Sequence, residues 1–198
     1  MKKTKKWLSL LVAAMMALQP LTIHGAAAED DVSPPEAWGP LPTETQLQYH
    51  EEELSAFIHF GVNTFYGVEW GTGKEDPNVF HPTGLDTDQW VKTLKDAGFK
   101  RIIMIGRHHD GFCLWDSEYT TQDVASSTDF QATQAARGQS GDVLEELSKS
   151  CTKYDMDMGF YLSPWDANNP SYGYGTGTDE ETDSNGDYNE YYMNQLRE

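Results

Sequence analysis

Four consecutive apolar residues, Ile102 to Ile105, run directly into Gly106-Arg107-His108-His109-Asp110-Gly111. A run this short and β-branched predicts a strand buried on both faces, as in a parallel sheet covered by helices. In folds built from βα units, ligands collect where the strands end at their carboxyl edge. A polar cluster placed just past such a strand is therefore a candidate site. The rest of the chain must then supply neighbouring strands and the helices that cover them.

Two more apolar runs answer the first requirement. Ala56 to Gly61 reads as a strand broken by His59, and Met158 to Pro164 as another, stopped by its proline. The helices lie between them. Asp86 opens the first, with Gln89 three residues on. Trp90, Leu94 and Ala97 share its face, and Gly98 closes it. Asp142 opens the second, whose buried face is Val143, Leu144, Leu147, Cys151 and Tyr154. A shorter helix is expected around Thr45 to Glu53. Another is expected after Asp187, carrying Tyr188, Tyr192 and Leu196. Val62 to Pro82 reads as a long aromatic loop, and Asp123 to Gly141 as a polar connection without periodicity. Strands alternating with helices predict right-handed parallel βαβ units. The fold class is thus α/β, the first units of a (β/α)8-type barrel. Three strands do not close a sheet, and a full barrel takes about 250 residues, so the reading is a chain that stops at Glu198 before closure.

The first 28 residues are not expected to belong to the fold. Lys2, Lys3, Lys5 and Lys6 precede an apolar stretch from Leu8 to Leu18, and Ala26 to Ala28 offer a cleavage site. Gln19 and Pro20 end the stretch well short of the roughly 20 apolar residues of a membrane helix. This predicts a cleaved signal, a secreted or periplasmic protein, and no membrane partner afterwards. Residues 29–53 form an acidic, Pro-rich lead-in, and residues 54–198 the barrel portion. Cleavage removes four lysines and takes the net charge from −18 to about −22. Such a surface repels nucleic acid and anionic lipid. Two cysteines, Cys113 and Cys151, do not make a disulfide scaffold. Cys151 reads as a buried thiol, with one bridge between the two left open.

Each strand ends in polar and aromatic groups: His59, then His108 and His109, then Tyr161 with Trp165 and Asp166. The first loop adds Glu69 and Trp70. Imidazoles and a carboxylate supply the hydrogen bonds that sugar hydroxyls need, and aromatic planes match the apolar face of a pyranose. Successive side chains of a regular strand point to opposite faces, so both histidines entering one pocket requires a bend, which Gly106 and Gly111 allow. Plainer readings stand beside these. Trp90 reads as core, and Asp110, Asp116 and Asp166 as loop carboxylates that cap turns. His59, His108, His109 and Asp110 are also possible metal ligands, although no His-x-His or His-Glu-x-x-His spacing occurs. A metal-dependent hydrolase and a non-catalytic carbohydrate-binding module are the alternatives.

Six motifs occur in order: Phe-Ile-His-Phe-Gly (57–61), Asn-Thr-Phe with Glu-Trp-Gly (63–71), Phe-His-Pro-Thr (80–83), His-His-Asp-Gly-Phe-Cys-Leu-Trp (108–115), Gly-Asp-Val-Leu-Glu-Glu-Leu (141–147) and Gly-Phe-Tyr-Leu-Ser-Pro-Trp-Asp (159–166). Together they resemble the α-L-fucosidases of glycoside hydrolase family 29, from Leu54 to the C-terminus. The Glu-Trp-Gly and Ser-Pro-Trp-Asp versions resemble the branch that prefers α-1,3- or α-1,4-linked fucose. The resemblance implies a retaining enzyme with two carboxyl groups about 5–5.5 Å apart, acting on fucosylated glycans without a cofactor. The family's nucleophile follows the fourth strand, in a Trp-Phe-Asp-Gly-like motif, and its acid/base comes later. No catalytic residue is therefore expected within these 198 residues. The resemblance assigns fucose binding to His59, Glu69, Trp70, His108, His109 and Tyr161, and no metal ligand. Arg107 stands where the family usually has lysine. The connections over 123–141 and before Asp187 look longer than usual.

Overall fold

The computed structural model describes residues 33–172 and 188–198. The stretch expected to be a signal peptide and most of the connection expected before Asp187 lie outside the described residues. Contacts divide the chain into two units, Met1–Leu41 and Pro42–Glu198. Residues 33–41 of the first carry no helix or strand. Among the described residues no helix is long and apolar enough to cross a membrane.

Among the described residues, the helices and strands lie in the second unit. In chain order it runs α1 (Glu44–Glu52), β1 (Ser55–Ile58), α2 (Val62–Tyr66), a 3-10 turn (Pro77–Val79), α3 (Thr87–Asp96), β2 (Arg101–Arg107), α4 (Thr128–Ala136), α5 (Val143–Tyr154), β3 (Asp157–Leu162) and α6 (Tyr188–Gln195). The three strands form one parallel sheet in sequential order, β1-β2-β3. The crossover helices α3 and α5 contact each other, so both lie on the same face of the sheet. Both start where a carboxylate caps them. Asp86 accepts from Gln89 N–H at 2.9 Å, and Asp142 from Glu145 N–H at 2.8 Å.

The core lies between that face and the helices. Ile102 and Met104 of β2 meet Val91 of α3, Val143, Leu147 and Cys151 of α5, and Phe80, Phe112 and Phe130 from the connections. Burying a side chain such as Ile102 or Met104 contributes about 1.5–3 kcal/mol. Trp90 packs partly buried against this cluster. Cys113 and Cys151 are buried free thiols, which closes the question of a bridge.

Three expectations need correction. The sheet is not covered on both faces: Ile103 is only half-buried, and Phe57 keeps 56% of its surface exposed. The loop over 62–82 contains a helical turn, α2, and a 3-10 turn. The connection over 123–141 contains α4, whose fully buried residues Phe130 and Gln134 lie four apart. One of that pair is an amide, so the apolar period never surfaced in the sequence.

Candidate functional site

The bend required of the two histidines is present. The β2–β3 register slips between Ile105 and Arg107, leaving Gly106 as a bulge, and β2 ends at Arg107. Gly111 adopts φ +83° in the turn beyond. The His108 and His109 rings therefore lie side by side, with centroids 4.0 Å apart. β1 ends at Ile58, one residue short of His59, whose ring sits 4.4 Å from that of His108. On the other flank, His109 stacks on Trp165 at 4.8 Å and 27°. Trp70 sets its edge against both, with centroids 5.3 Å away in each case. Tyr161 stands 6.3 Å from His108 and 6.0 Å from Phe57. Three strand ends and one loop thus meet in a single aromatic row.

Beneath the row lies a cavity of about 150 Å³, lined by His59, His108, Glu69, Asn63, Asp110 and apolar side chains that include Phe60 and Phe112. Of the six residues singled out from the sequence, His59, Glu69 and His108 line the cavity; Trp70, His109 and Tyr161 are not among its lining residues and stand in the ring contacts above. Glu69, Trp70 and His59 are exposed and His108, His109 and Tyr161 half-buried, so the row has an open side.

Asp110, read from sequence as a turn-capping carboxylate, caps its turn by accepting from Phe112 N–H at 2.7 Å. It also does more. Its second oxygen accepts from Asn63 Nδ2 at 2.7 Å, and it is 2% exposed. Asn63 carries this bond toward the Glu69 carbonyl, 3.5 Å from the same nitrogen. A Cβ on Gly71 would come within 2.6 Å of Asn63 Oδ1 and 2.7 Å of Asp110 Cβ, so only glycine lets the Glu69-Trp70-Gly71 loop rest on this pair. Sequence reasoning missed Asn63 as a site residue, although it stands inside the Asn-Thr-Phe motif.

The electrostatics follow from the burial. Desolvation pulls His108 down to about 4, assisted by the neighbouring His109 and His59. Desolvation likewise lowers His109, with His59 contributing. Desolvation pushes Asp110 up to about 6, against the hydrogen bonds from Phe112 and Asn63 and with the help of nearby Glu75. Near neutral pH His108 and His109 are therefore uncharged imidazoles, suited to hydroxyl groups.

Arg107 lies fully buried behind the row. It pairs with Asp166 at 3.0 Å, donates to the Ser163 carbonyl, the Gln195 side chain and the Tyr188 hydroxyl, and sits over the rings of Tyr191 and Tyr192. Asp166 also accepts from the Asn168 and Asn169 N–H groups at 2.9 Å each. The buried pair thus joins the end of β2, the loop after β3 and α6.

The family model described as Alpha-L-fucosidase matches residues 66–198. Alpha-L-fucosidase 1 of Arabidopsis thaliana is 43% identical over 159 residues, which are 80% of this chain and 28% of the relative. A solved Ruminococcus gnavus fucosidase of glycoside hydrolase family 29, in complex with fucose, is 46% identical with a TM-score of 0.67. That match covers 81% of this chain and 33% of that one. A family 29 member from an unknown rumen bacterium is 41% identical with a TM-score of 0.68, over 82% and 26% of the two chains. This chain thus spans about a third or less of the length of these relatives.

Proposed function

Because this chain belongs to the α-L-fucosidase family, we propose that the carboxyl edge of its sheet is the fucose-binding part of a retaining α-L-fucosidase. His59, His108 and His109 hydrogen-bond the sugar hydroxyls, Glu69 accepts from another, and Trp70 and Tyr161 border the ring. The strands are the first of a (β/α) barrel, residues 54–198, completed by chain outside these 198 residues. The nucleophile and the acid/base belong to that further chain. Residues 29–53 lead into the barrel. Residues 1–28 direct the protein out of the cytoplasm and are removed. The substrate is a fucosylated glycan, with the α-1,3 and α-1,4 linkages preferred.

The observation that carries the reading is the unbroken row His59–His108–His109–Trp165, edged by Trp70 and open on one side. Imidazoles beside indole planes present hydrogen bonds and an apolar surface together, as a deoxy sugar does. A site that hydrogen-bonds hydroxyls discriminates strongly, because an analogue lacking them leaves its buried polar groups unpaired.

The test is titration of the protein with L-fucose, followed by tryptophan fluorescence. Saturable quenching is expected, weakened roughly tenfold or more by His108→Ala or His109→Ala. Quenching unaffected by both substitutions overturns the reading. These 198 residues should release no nitrophenol from an aryl α-L-fucoside, whereas a longer protein containing them should. Fucose binding without cleavage by the longer protein would favour a carbohydrate-binding module.

A further inference from the structure

Ser163 is fully buried at the end of β3, and its hydroxyl oxygen makes three short contacts. The Trp165 N–H lies at 3.0 Å, the Trp165 carbonyl at 2.8 Å and His109 Nδ1 at 2.7 Å. A serine hydroxyl has one proton and two lone pairs. The Trp165 N–H can only donate, which uses one lone pair. The Trp165 carbonyl can only accept, so it takes the serine proton. What remains for His109 is the second lone pair, and Nδ1 must supply the hydrogen. If instead the serine proton pointed at His109, two oxygens 2.8 Å apart would face each other with no hydrogen between them. One assignment satisfies all three contacts.

From this proton count we propose that Ser163 is a positioning residue that holds His109 in its Nδ1-protonated tautomer, so that His109 offers its Nε2 lone pair to a ligand O–H. The backbone supports the arrangement from both sides. Ser163 N–H donates to the Arg107 carbonyl at 3.0 Å, and Ala167 N–H to the His109 carbonyl at 2.8 Å. The His109 ring is also clamped by its stack on Trp165, whose own backbone holds the serine hydroxyl. Neither the ring nor the hydroxyl can turn without breaking contacts of the other. The same group that places Trp165 therefore sets which end of His109 accepts. The chemical consequence is a site that reads a hydrogen-bond donor at this point: a free hydroxyl satisfies it, while a methyl ether or a deoxy carbon does not.

The ligand class rests on the fucose reading, but the tautomer does not, and the experiment separates them. Long-range proton–nitrogen correlation spectra of the nitrogen-labelled protein, without sugar and near neutral pH, report each imidazole nitrogen directly. Comparison with the His109→Gln protein assigns the His109 signals. A pyrrole-type Nδ1 and a pyridine-type Nε2 are expected; the reverse assignment overturns the proposal. Ser163→Ala should then shift His109 toward the other tautomer while the His81 signals stay in place as a check on the fold. Should the parent tautomer persist in Ser163→Ala, Ser163 is not what sets it. In the binding arm, Ser163→Ala should weaken L-fucose about tenfold, and an O-methylated fucose series should contain one position at which methylation removes the difference between parent and variant. The expected tautomer in a protein that fails to bind fucose would uphold the role of Ser163 and overturn the fucose reading instead.

Discussion

Asn63 Nδ2 donates to Asp110 Oδ2 across 2.7 Å, tying the loop after β1 to the turn after β2. Both residues are almost fully buried, so the bond is made where water cannot replace it. The loop resting on it carries Glu69 and Trp70.

Asn63→Ala should therefore act on both stability and site. It leaves a buried carboxylate oxygen without its donor, at a cost of about 1–3 kcal/mol. Chemical denaturation measures that loss. The near-ultraviolet dichroism of Trp70 should diminish as well, because Asn63 no longer supports the loop beside the Glu69 carbonyl. Full dichroism in the destabilised variant would show that the loop holds itself.

Two groups in this site titrate in opposite senses. Stability rises with pH wherever the unfolded chain binds more protons than the folded one. His108 moves from 6.5 down to about 4, so between those values the unfolded chain holds the extra proton and the contribution of His108 is lost as pH falls. His109 is shifted in the same direction. Asp110 moves from 3.8 up to about 6, so there the folded protein holds the extra proton and stability is lost as pH rises. The shifts offset one another across roughly the same window. Relative to the parent, Asp110→Asn should lose stability on going from pH 6.5 to 4, and His108→Gln should gain it. Melting temperatures across that range decide the signs, and parallel curves for all three proteins would sink the account.

Much of this was legible in the sequence because the signals are local. Asp86 and Asp142 stand where helix caps are needed, and Ile102 and Met104 lie on the face that α3 and α5 cover. Of the six residues that the resemblance assigned, His59, His108 and His109 sit just past strand ends and Glu69 and Trp70 in the long first loop, while Tyr161 is the penultimate residue of β3, so position brought their segments into view. Less legible was anything that depends on a partner far along the chain. Asn63 and Asp110 are 47 positions apart, and nothing in either segment announces the bond. Helix α4 hid because Gln134 fills a core position, and Ser127 makes no side-chain cap at its start. Ser163 looked like part of a strand terminus; its proton count needs three distances that no sequence contains.

Gly73 gives a sharp test of how the two loops meet. Its φ is +78°, and a Cβ there would lie 2.3 Å from the Ala167 carbonyl carbon. Its own carbonyl accepts from Asn168 Nδ2 at 2.8 Å. Gly73→Ala should cost about 1–3 kcal/mol from the backbone conformation, with an overpacking cost of similar size on top. Gly84, in open space with no such φ, is the control, and Gly84→Ala should change little. Equal denaturation midpoints for the two variants would contradict the close approach.

The last prediction concerns Arg107, the charge buried behind the site. Removing one partner of a buried pair leaves the other uncompensated, and Arg107→Met should destabilise by about 3–5 kcal/mol. Among the described residues, Asp166 would then keep the Asn168 and Asn169 N–H groups and the Tyr191 hydroxyl as its donors. Adding Asp166→Asn to that variant should return part of the loss, because the stranded charge goes with it. The double variant separates electrostatics from packing. If the pair matters only as filled volume, the second substitution returns nothing. Arg107→Lys asks a narrower question. Lysine keeps the charge but not the planar fork, and here the fork reaches Asp166, the Ser163 carbonyl, Gln195 and Tyr188 at once. An ammonium group cannot span all four in that geometry. Arg107→Lys should therefore retain most of the pairing with Asp166 while loosening α6, seen as faster amide exchange over Tyr188–Gln195 than over β2. Unchanged exchange along α6 would show that the helix is held without the guanidinium.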